Sequence, residues 1–308
     1  MSIDAPARTG RGEIEPANVS TRKSSGFLGG VSHVVLFVWA VLIVVPIIWI
    51  FVSSFKSNTE LFTNAWSIPG QLRTDNWARA FSEGNIGRFF LNTILVVACG
   101  TVGTMVLGSM AAYVLARYPF RGSRIIYFVF VAGLAFPVFL ALTPLFFVVR
   151  NIGQIPGIGQ FIGLDSYGGV ILVYIAYSLP FTVFFLTAFF RTLPTPVAEA
   201  AVIDGCSNTR LFFRVMMPMA KPGLISITIF NVVGQWNQYL LPLVLLSGQA
   251  KDKWVLTQGI ADIAISSSYR ADWPALFAAL SMAILPMIIV YVLFQRHIQA
   301  GLTAGAVK

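Results

Sequence analysis

The sequence predicts an all-α, polytopic membrane protein with six transmembrane helices. Of its 308 residues, 56% are hydrophobic and 11% charged, against about 25% charged in an average soluble domain. Its mean hydropathy is +0.77. The apolar residues fall into six runs, each close to the roughly 20 residues that a helix needs to cross a bilayer. No two-residue alternation of the kind a half-buried strand shows separates them, and no long repeat is present.

In chain order, residues 1–30 are polar and of mixed charge, rich in Gly, Ser, Thr and Pro. They predict a disordered tail ahead of a six-helix domain over 31–308. The first run, 31–55, follows Arg8, Arg11, Arg22 and Lys23. It is longer than the about 7–15 apolar residues of a signal peptide and no small-residue cleavage site follows it, so it reads as a span. Pro46 is expected to bend it. Residues 56–88 form a polar loop. The second span, 89–118, carries Gly100, Gly103 and Gly108, residues that let helix backbones approach closely. A short basic segment with Arg121 and Arg124 leads to the third span, 125–149, which holds Pro137 and Pro144. Prolines inside a span are tolerated where neighbours satisfy the freed carbonyls. Residues 150–167 are Gly-rich. The fourth span is 168–190, with Pro180, and the fifth is 222–246. A polar loop over 247–273 precedes the sixth, 274–294. The prolines at 46, 137, 144, 180, 242 and 286 read either as packed static bends or as gating kinks.

Six spans place both termini on one side. Assigning that side to the cytoplasm puts the densest basic cluster, Arg117, Arg121 and Arg124, in a short cytoplasmic loop, where the positive-inside rule is most dependable. The formal charge of +9 is scattered among such flanking segments, so it reads as a topology signal and not as a nucleic-acid surface. Cys99 and Cys206 have no metal-ligand neighbours, and His33 and His297 lie at opposite ends of the chain. A metal site is not expected.

Between spans four and five, loop 191–221 gathers acids, small residues, a glycine and a proline at fixed spacing. Thr195 is placed to cap a helix with Pro196 at its first position. Glu199 then lies early in that helix, where the positive end of the dipole favours an anion. Gly205 can take the left-handed conformation that ends it. Ser207 can cap a second helix over 208–217, which Pro218 stops. The product is a helix–turn–helix elbow with a small-residue face of Ala198, Ala200 and Ala201. It suits insertion into a groove on another protein, or serves as a linker on the membrane surface.

No catalytic constellation is visible. There is no Gly-x-x-x-x-Gly-Lys-Ser/Thr loop to cradle a nucleotide, so the chain is not expected to hydrolyse ATP. Acids are nearly absent from the spans, which argues against an ion-coupled carrier. The polar exception is span five, Asn231 to Tyr239. Asn231, Gln235 and Gln238 fall at i, i+4 and i+7 and share one helix face. Buried amides must bond to something. Either they join helices, or they line a path in which amides bond sugar hydroxyls while Trp236 or Tyr239 offers a ring face.

The elbow resembles the cytoplasmic loop of bacterial ABC importer permeases: Glu-Ala-Ala, three residues, Gly, nine residues, Ile-x-Leu-Pro. Here the pattern reads Glu199, Ala200, Ala201, Gly205, Val215, Met217 and Pro218, with Val for Ile and Met for Leu as departures. Asp204-Gly205, the Asn92-Thr93 opening of span two, its exit from Ala112 to Gly122, Trp236-Asn237-x-x-Leu240-x-Pro242-Leu243 and the tail from Gln295 to Lys308 resemble the carbohydrate, maltose-type branch. The resemblance implies a type I ABC importer permease fold in the bacterial cytoplasmic (inner) membrane. It implies that Glu199, Ala200, Ala201, Asp204, Gly205 and Pro218 belong to a coupling helix and its elbow, which dock on an ATPase. It also implies that Asn231, Gln235, Trp236, Asn237 and Gln238 lie near the translocation path. Expected partners are a second permease in a heterodimer, two ATPase subunits that bind ATP and Mg, and an extracytoplasmic sugar-binding protein. The chain itself is expected to hold no cofactor. Residues 266–273 resemble the family's approach to span six and read either as a contact for the binding protein or as a solvated loop. A glycerol-phosphate permease and an ATPase-independent carrier are the alternatives.

Overall fold

The computed structural model describes residues 26–248, 251–270 and 272–304. The chain divides into two compact units, one ending at Ile48 and the other running from Trp49 to the C-terminus. The expected disordered tail lies, up to residue 25, outside the described residues. The first helix, α1 (Gly26–Ser53), starts earlier than the apolar run and continues through Pro46.

All regular secondary structure among the described residues is helical, with no strand. In the second unit α2 (Asn58–Thr63) and α3 (Asp75–Ser82) occupy the segment expected as a loop. Ser57 and Glu60 form a reciprocal capping box that starts α2. Among the described residues, four helices are long and apolar enough to cross a membrane: α1, α4 (Ile86–Arg117), α8 (Tyr167–Thr192) and α14 (Trp273–Ala304). Two further helix pairs, 123–152 and 208–236, are each bent by more than 40°, and the count rises to six if each pair is taken as one span.

The third span is not one continuous helix. It is α5 (Ser123–Ala135) and α6 (Val138–Ile152), bent by 108° at Phe136-Pro137. A proline pushes the residue before it out of the helical region, and Phe136 accordingly takes φ −79 and ψ 120. The short α7 (Gly159–Ile162) follows. The fifth span is also shorter than expected: α11 (Lys221–Trp236) ends ten residues early, and α12 (Leu240–Leu245) resumes after a break. At the break, the Asn237 side chain and backbone N–H both donate to the Val233 carbonyl. Pro242 has no N–H for the Gln238 carbonyl, and the Thr257 hydroxyl takes it at 2.7 Å.

The segment expected as a polar loop over 247–273 contains a 3₁₀ turn, Lys251–Lys253, and a further helix, α13 (Leu256–Arg270). The opening of α4 holds it in place. Asn92 donates to the carbonyls of Asp252 and Trp254, both at 2.9 Å, and Thr93 accepts from the Leu256 N–H at 2.8 Å.

Helices α4 and α8 run side by side in the same direction along most of their length. Glycines set their separation, as the sequence suggested. A Cβ on Gly103 would meet the Ile175 side chain at 2.4 Å, and one on Gly108 would meet Thr182 at 2.6 Å. Two apolar cores flank this pair. One centres on Val96, Tyr174, Trp236, Leu256 and Ala279. The other, at the far end of α4, centres on Tyr113, Phe190, Phe212 and Met216. The second core seats the elbow.

Candidate functional site

The elbow consists of α9 (Thr195–Ile203) and α10 (Asn208–Met219). Pro194, and not Thr195, is the residue before the first helical turn, with φ −65 and ψ 123. Thr195 instead accepts a hydrogen bond from Arg117 Nη1 at 3.0 Å. Pro196 occupies the first turn as expected. At the other end Gly205 has φ +77. The Cys206 N–H donates to the Ala201 carbonyl and the Gly205 N–H to Val202. This pairing is a Schellman closure, and it needs a left-handed residue where glycine stands. Asp204, just before it, donates its N–H to Ala200.

Ser207 caps α10, its hydroxyl accepting from the Arg210 N–H. Pro218 does not stop that helix, which continues to Met219. The turns over Phe212–Met216 widen into a π-helix, and the Met217 N–H reaches back to Phe212. A proline in a regular helix clashes with the carbonyl four residues before it; the wider turn relieves that clash. The chain bends instead at Ala220, by 78°, where α11 begins with Pro222 in its first turn.

The small residues of α9 do not form one outward face. Ala198 and Ala201 pack with Cys206 against the second core. The outward face is Val197, Glu199, Ala200, Val202, Ile203 and Asp204, all exposed, with Ile203 at 86%. A groove of about 710 Å³ runs beside it, lined by Glu199, Val202 and Ile203 on one wall and by Tyr113, Arg117 and Tyr118 on the other. Sequence reasoning took Arg117 for a topology signal. The structure makes it a hydrogen-bonded tie from the end of α4 to the start of the elbow.

The second cluster lies on α11, which runs antiparallel to α8. Asn231 and Gln235 are buried, at 4% and 2% exposure. Asn231 donates to Thr182 Oγ1 at 2.8 Å and Gln235 to Ser178 Oγ at 3.0 Å. Gln235 also accepts from Thr101 on α4, at 3.3 Å. The hydroxyl partners are spaced i, i+4 on α8, as the amides are on α11, so two rungs join the helices. That spacing of Ser178 and Thr182 was the available signal for the partners, which the sequence reading missed.

These amides also line a cleft of about 390 Å³ at the α5–α6 break. Asn231, Gln235 and Gln238 supply its amides, Ser178 and Tyr177 its hydroxyls, and Phe136, Phe181 and Phe230 its rings. Trp236 and Asn237 lie outside it. Trp236 is buried edge-on against Phe90, with ring centres 5.6 Å apart, and Asn237 folds back on its own helix. The aromatic lining therefore comes from the α5–α6 break, α8 and α11, not from Trp236 or Tyr239. Amides, hydroxyls and rings thus line one cleft, with no carboxylate or ammonium among its lining residues.

The sequence profile of the binding-protein-dependent transport system inner membrane component family matches residues 104–304. The diacetylchitobiose uptake system permease protein NgcG of Streptomyces coelicolor is 48% identical over 278 residues, covering 90% of this chain and 88% of that protein. The trehalose transport system permease protein SugB of Mycobacterium tuberculosis is 34% identical over 277 residues, covering 88% and 97%. A crystal structure of a bacterial ABC transporter involved in the import of the acidic polysaccharide alginate shares the fold. It matches with a TM-score of 0.74 and 24% identity, over 89% of this chain and 97% of the matched one.

Proposed function

The chain belongs to the family of binding-protein-dependent transport system inner membrane components, and on that premise we propose that it is the permease subunit of an ATP-driven importer for a sugar or oligosaccharide. The sugar assignment is supported by the 48% identity to a diacetylchitobiose uptake permease, and the cleft lined by amides, hydroxyls and rings is chemically suited to it. Diacetylchitobiose is the first substrate to test.

In this reading the elbow faces the cytoplasm with both termini, and its exposed Val197, Val202 and Ile203 dock on a separate ATPase. Exposed branched aliphatics grouped on a short helix outside the apolar runs favour a protein contact. The ATPase subunits bind ATP and Mg; this chain has no phosphate loop. A second permease completes the pathway, and an extracytoplasmic binding protein delivers the sugar. ATP-driven closure of the ATPases pushes α9, and the bundle changes between inward- and outward-open arrangements. Import then requires a free-energy coupling between the elbow and the cleft.

Uptake of labelled diacetylchitobiose, measured in cells with and without the chain, tests this. The expected result is uptake that requires the chain and stops on ATP depletion while the proton gradient is held. Uptake that persists without ATP overturns the proposal.

A further inference from the structure

We propose that Arg117 is a positioning residue that carries the movement of the elbow into α4 and so to the amide cleft. The proposal rests on the reading of the elbow as the docking surface of a separate ATPase. Arg117 is the last residue of α4, and its fork grips the joint between α8 and α9. Nη1 donates to the Thr195 hydroxyl at 3.0 Å, and Nη2 donates to the Leu193 carbonyl.

That joint cannot satisfy itself. It reads Leu193-Pro194-Thr195-Pro196, and two of its four residues lack an N–H. The Leu193 carbonyl follows the end of α8, where carbonyls have no helical partner, and Arg117 supplies the missing donors. The two prolines also stiffen the joint, so that displacement of α9 is passed on instead of being absorbed. Among the described residues no carboxylate pairs with Arg117, and its Nε is buried without an acceptor. The guanidinium is therefore committed to the joint and not to an ion pair.

The other end of the connection is on the same helix. Thr101 lies about 24 Å back along α4 at a rise of about 1.5 Å per residue. It donates to Gln235, one of the cleft amides, and Gly100 packs directly against that amide. A push on α9 thus reaches Gln235 through one rigid helix. Without Arg117 the elbow keeps Phe212 packed on Tyr113 and Phe190 but loses its hydrogen bonds to the end of α4.

The test uses the whole transporter, with its ATPase, second permease and binding protein, in proteoliposomes. Diacetylchitobiose is the probe, and sugar moved per ATP hydrolysed is the readout. Arg117→Met removes the fork. Arg117→Lys keeps the charge that a topology signal needs, but a single ammonium cannot span both acceptors in the fork geometry. Both are expected to co-purify with the ATPase and to move about tenfold less sugar per ATP, the scale of a lost charge-assisted hydrogen bond. Thr195→Val removes one of the two acceptors and is expected to cost about threefold. A wild-type ratio in Arg117→Met, or full recovery in Arg117→Lys, overturns the positioning role. If neither arginine variant assembles, an unchanged ratio in Thr195→Val overturns it. Wild-type complex that moves sugar without ATP sinks the importer reading itself, which separates the two failures.

Discussion

On α9, aliphatic side chains stand in the open: Ile203 is 86% exposed and Val202 and Val197 flank it. On α11 the arrangement is inverted, with Asn231 and Gln235 buried at 4% and 2% exposure inside an apolar bundle. The elbow holds its shape with local devices: a proline in the first turn, a Schellman closure at Gly205, a Ser207 cap. The cleft holds its shape with partners far away in sequence, Thr101, Ser178 and Thr182. The difference teaches where each region is vulnerable. A change on the elbow's outer face should remove a partner while leaving the fold intact. A change at the cleft should disturb the fold and, on the proposed reading, the sugar path together.

The largest effect is expected at the elbow. Gly205→Arg forces a side chain into a left-handed position that costs about 1–2 kcal/mol for a residue with a Cβ, and Glu199→Ala removes the acid of the outer face. Both are expected to abolish uptake while leaving membrane insertion intact; Glu199→Ala should keep wild-type thermal stability, and Gly205→Arg should lose no more than that local cost. Normal uptake in the pair would break the contrast. Ile203→Asp should reduce ATPase co-purification and uptake by about thirtyfold, the scale of a buried interface anchor, again without loss of stability.

At the cleft, Gln235→Leu leaves the hydroxyls of Ser178 and Thr101 without this partner. The expected cost is about 1–2 kcal/mol in detergent unfolding, together with reduced uptake. A sharper version replaces both members of a rung. Asn231→Leu with Thr182→Val removes an interhelical bond without stranding either partner, so stability should change by less than about 1 kcal/mol. If the amide also contacts sugar, the apparent KM for uptake rises in the double variant; an unchanged KM assigns Asn231 to helix joining alone.

The smallest effect concerns the α2 loop. The backbone N–H groups of Ser57 and Gly70, with the Ser57 hydroxyl, hold the Glu60 carboxyl below its ordinary range. A folded-state pKa below the unfolded one adds stability above the unfolded value. That stability is lost as pH falls through the folded one. Melting curves taken downward from neutral pH should therefore show a small loss below the usual glutamate range in wild type, and Glu60→Gln should remove that acid-dependent component. An identical pH slope in both would remove the capping box from the account.

Much of the elbow was legible because its signals are local. Pro196, Gly205 and Ser207 act within a few residues of themselves, so their spacing alone placed two helices and the turn between them. Thr195 was misread because a cap and a tertiary acceptor look the same in sequence; the difference is Arg117, seventy-eight residues away. Pro218 was misread as a stop because the π-turn that accommodates it depends on how α10 is seated on Phe190 and Tyr113. The helix over 256–270 was missed because its polar surface resembles a loop. The bond that anchors it, from the Leu256 N–H to the Thr93 hydroxyl, reaches another span.

Composition, run length and local spacing by themselves determined an all-α membrane protein with its spans in order, its glycine-lined α4, and an elbow between spans four and five. These follow from hydrophobic burial and backbone sterics, which act on neighbours in the chain. Tertiary structure decided that span three breaks at Pro137, that span five ends at Trp236, that Asn231, Gln235 and Gln238 share a cleft from which Trp236 and Asn237 are excluded, and that Arg117 ties the elbow to α4. Each of these depends on a partner from a distant segment satisfying a carbonyl, an amide or a cavity wall, and such pairings exist only once the helices have packed.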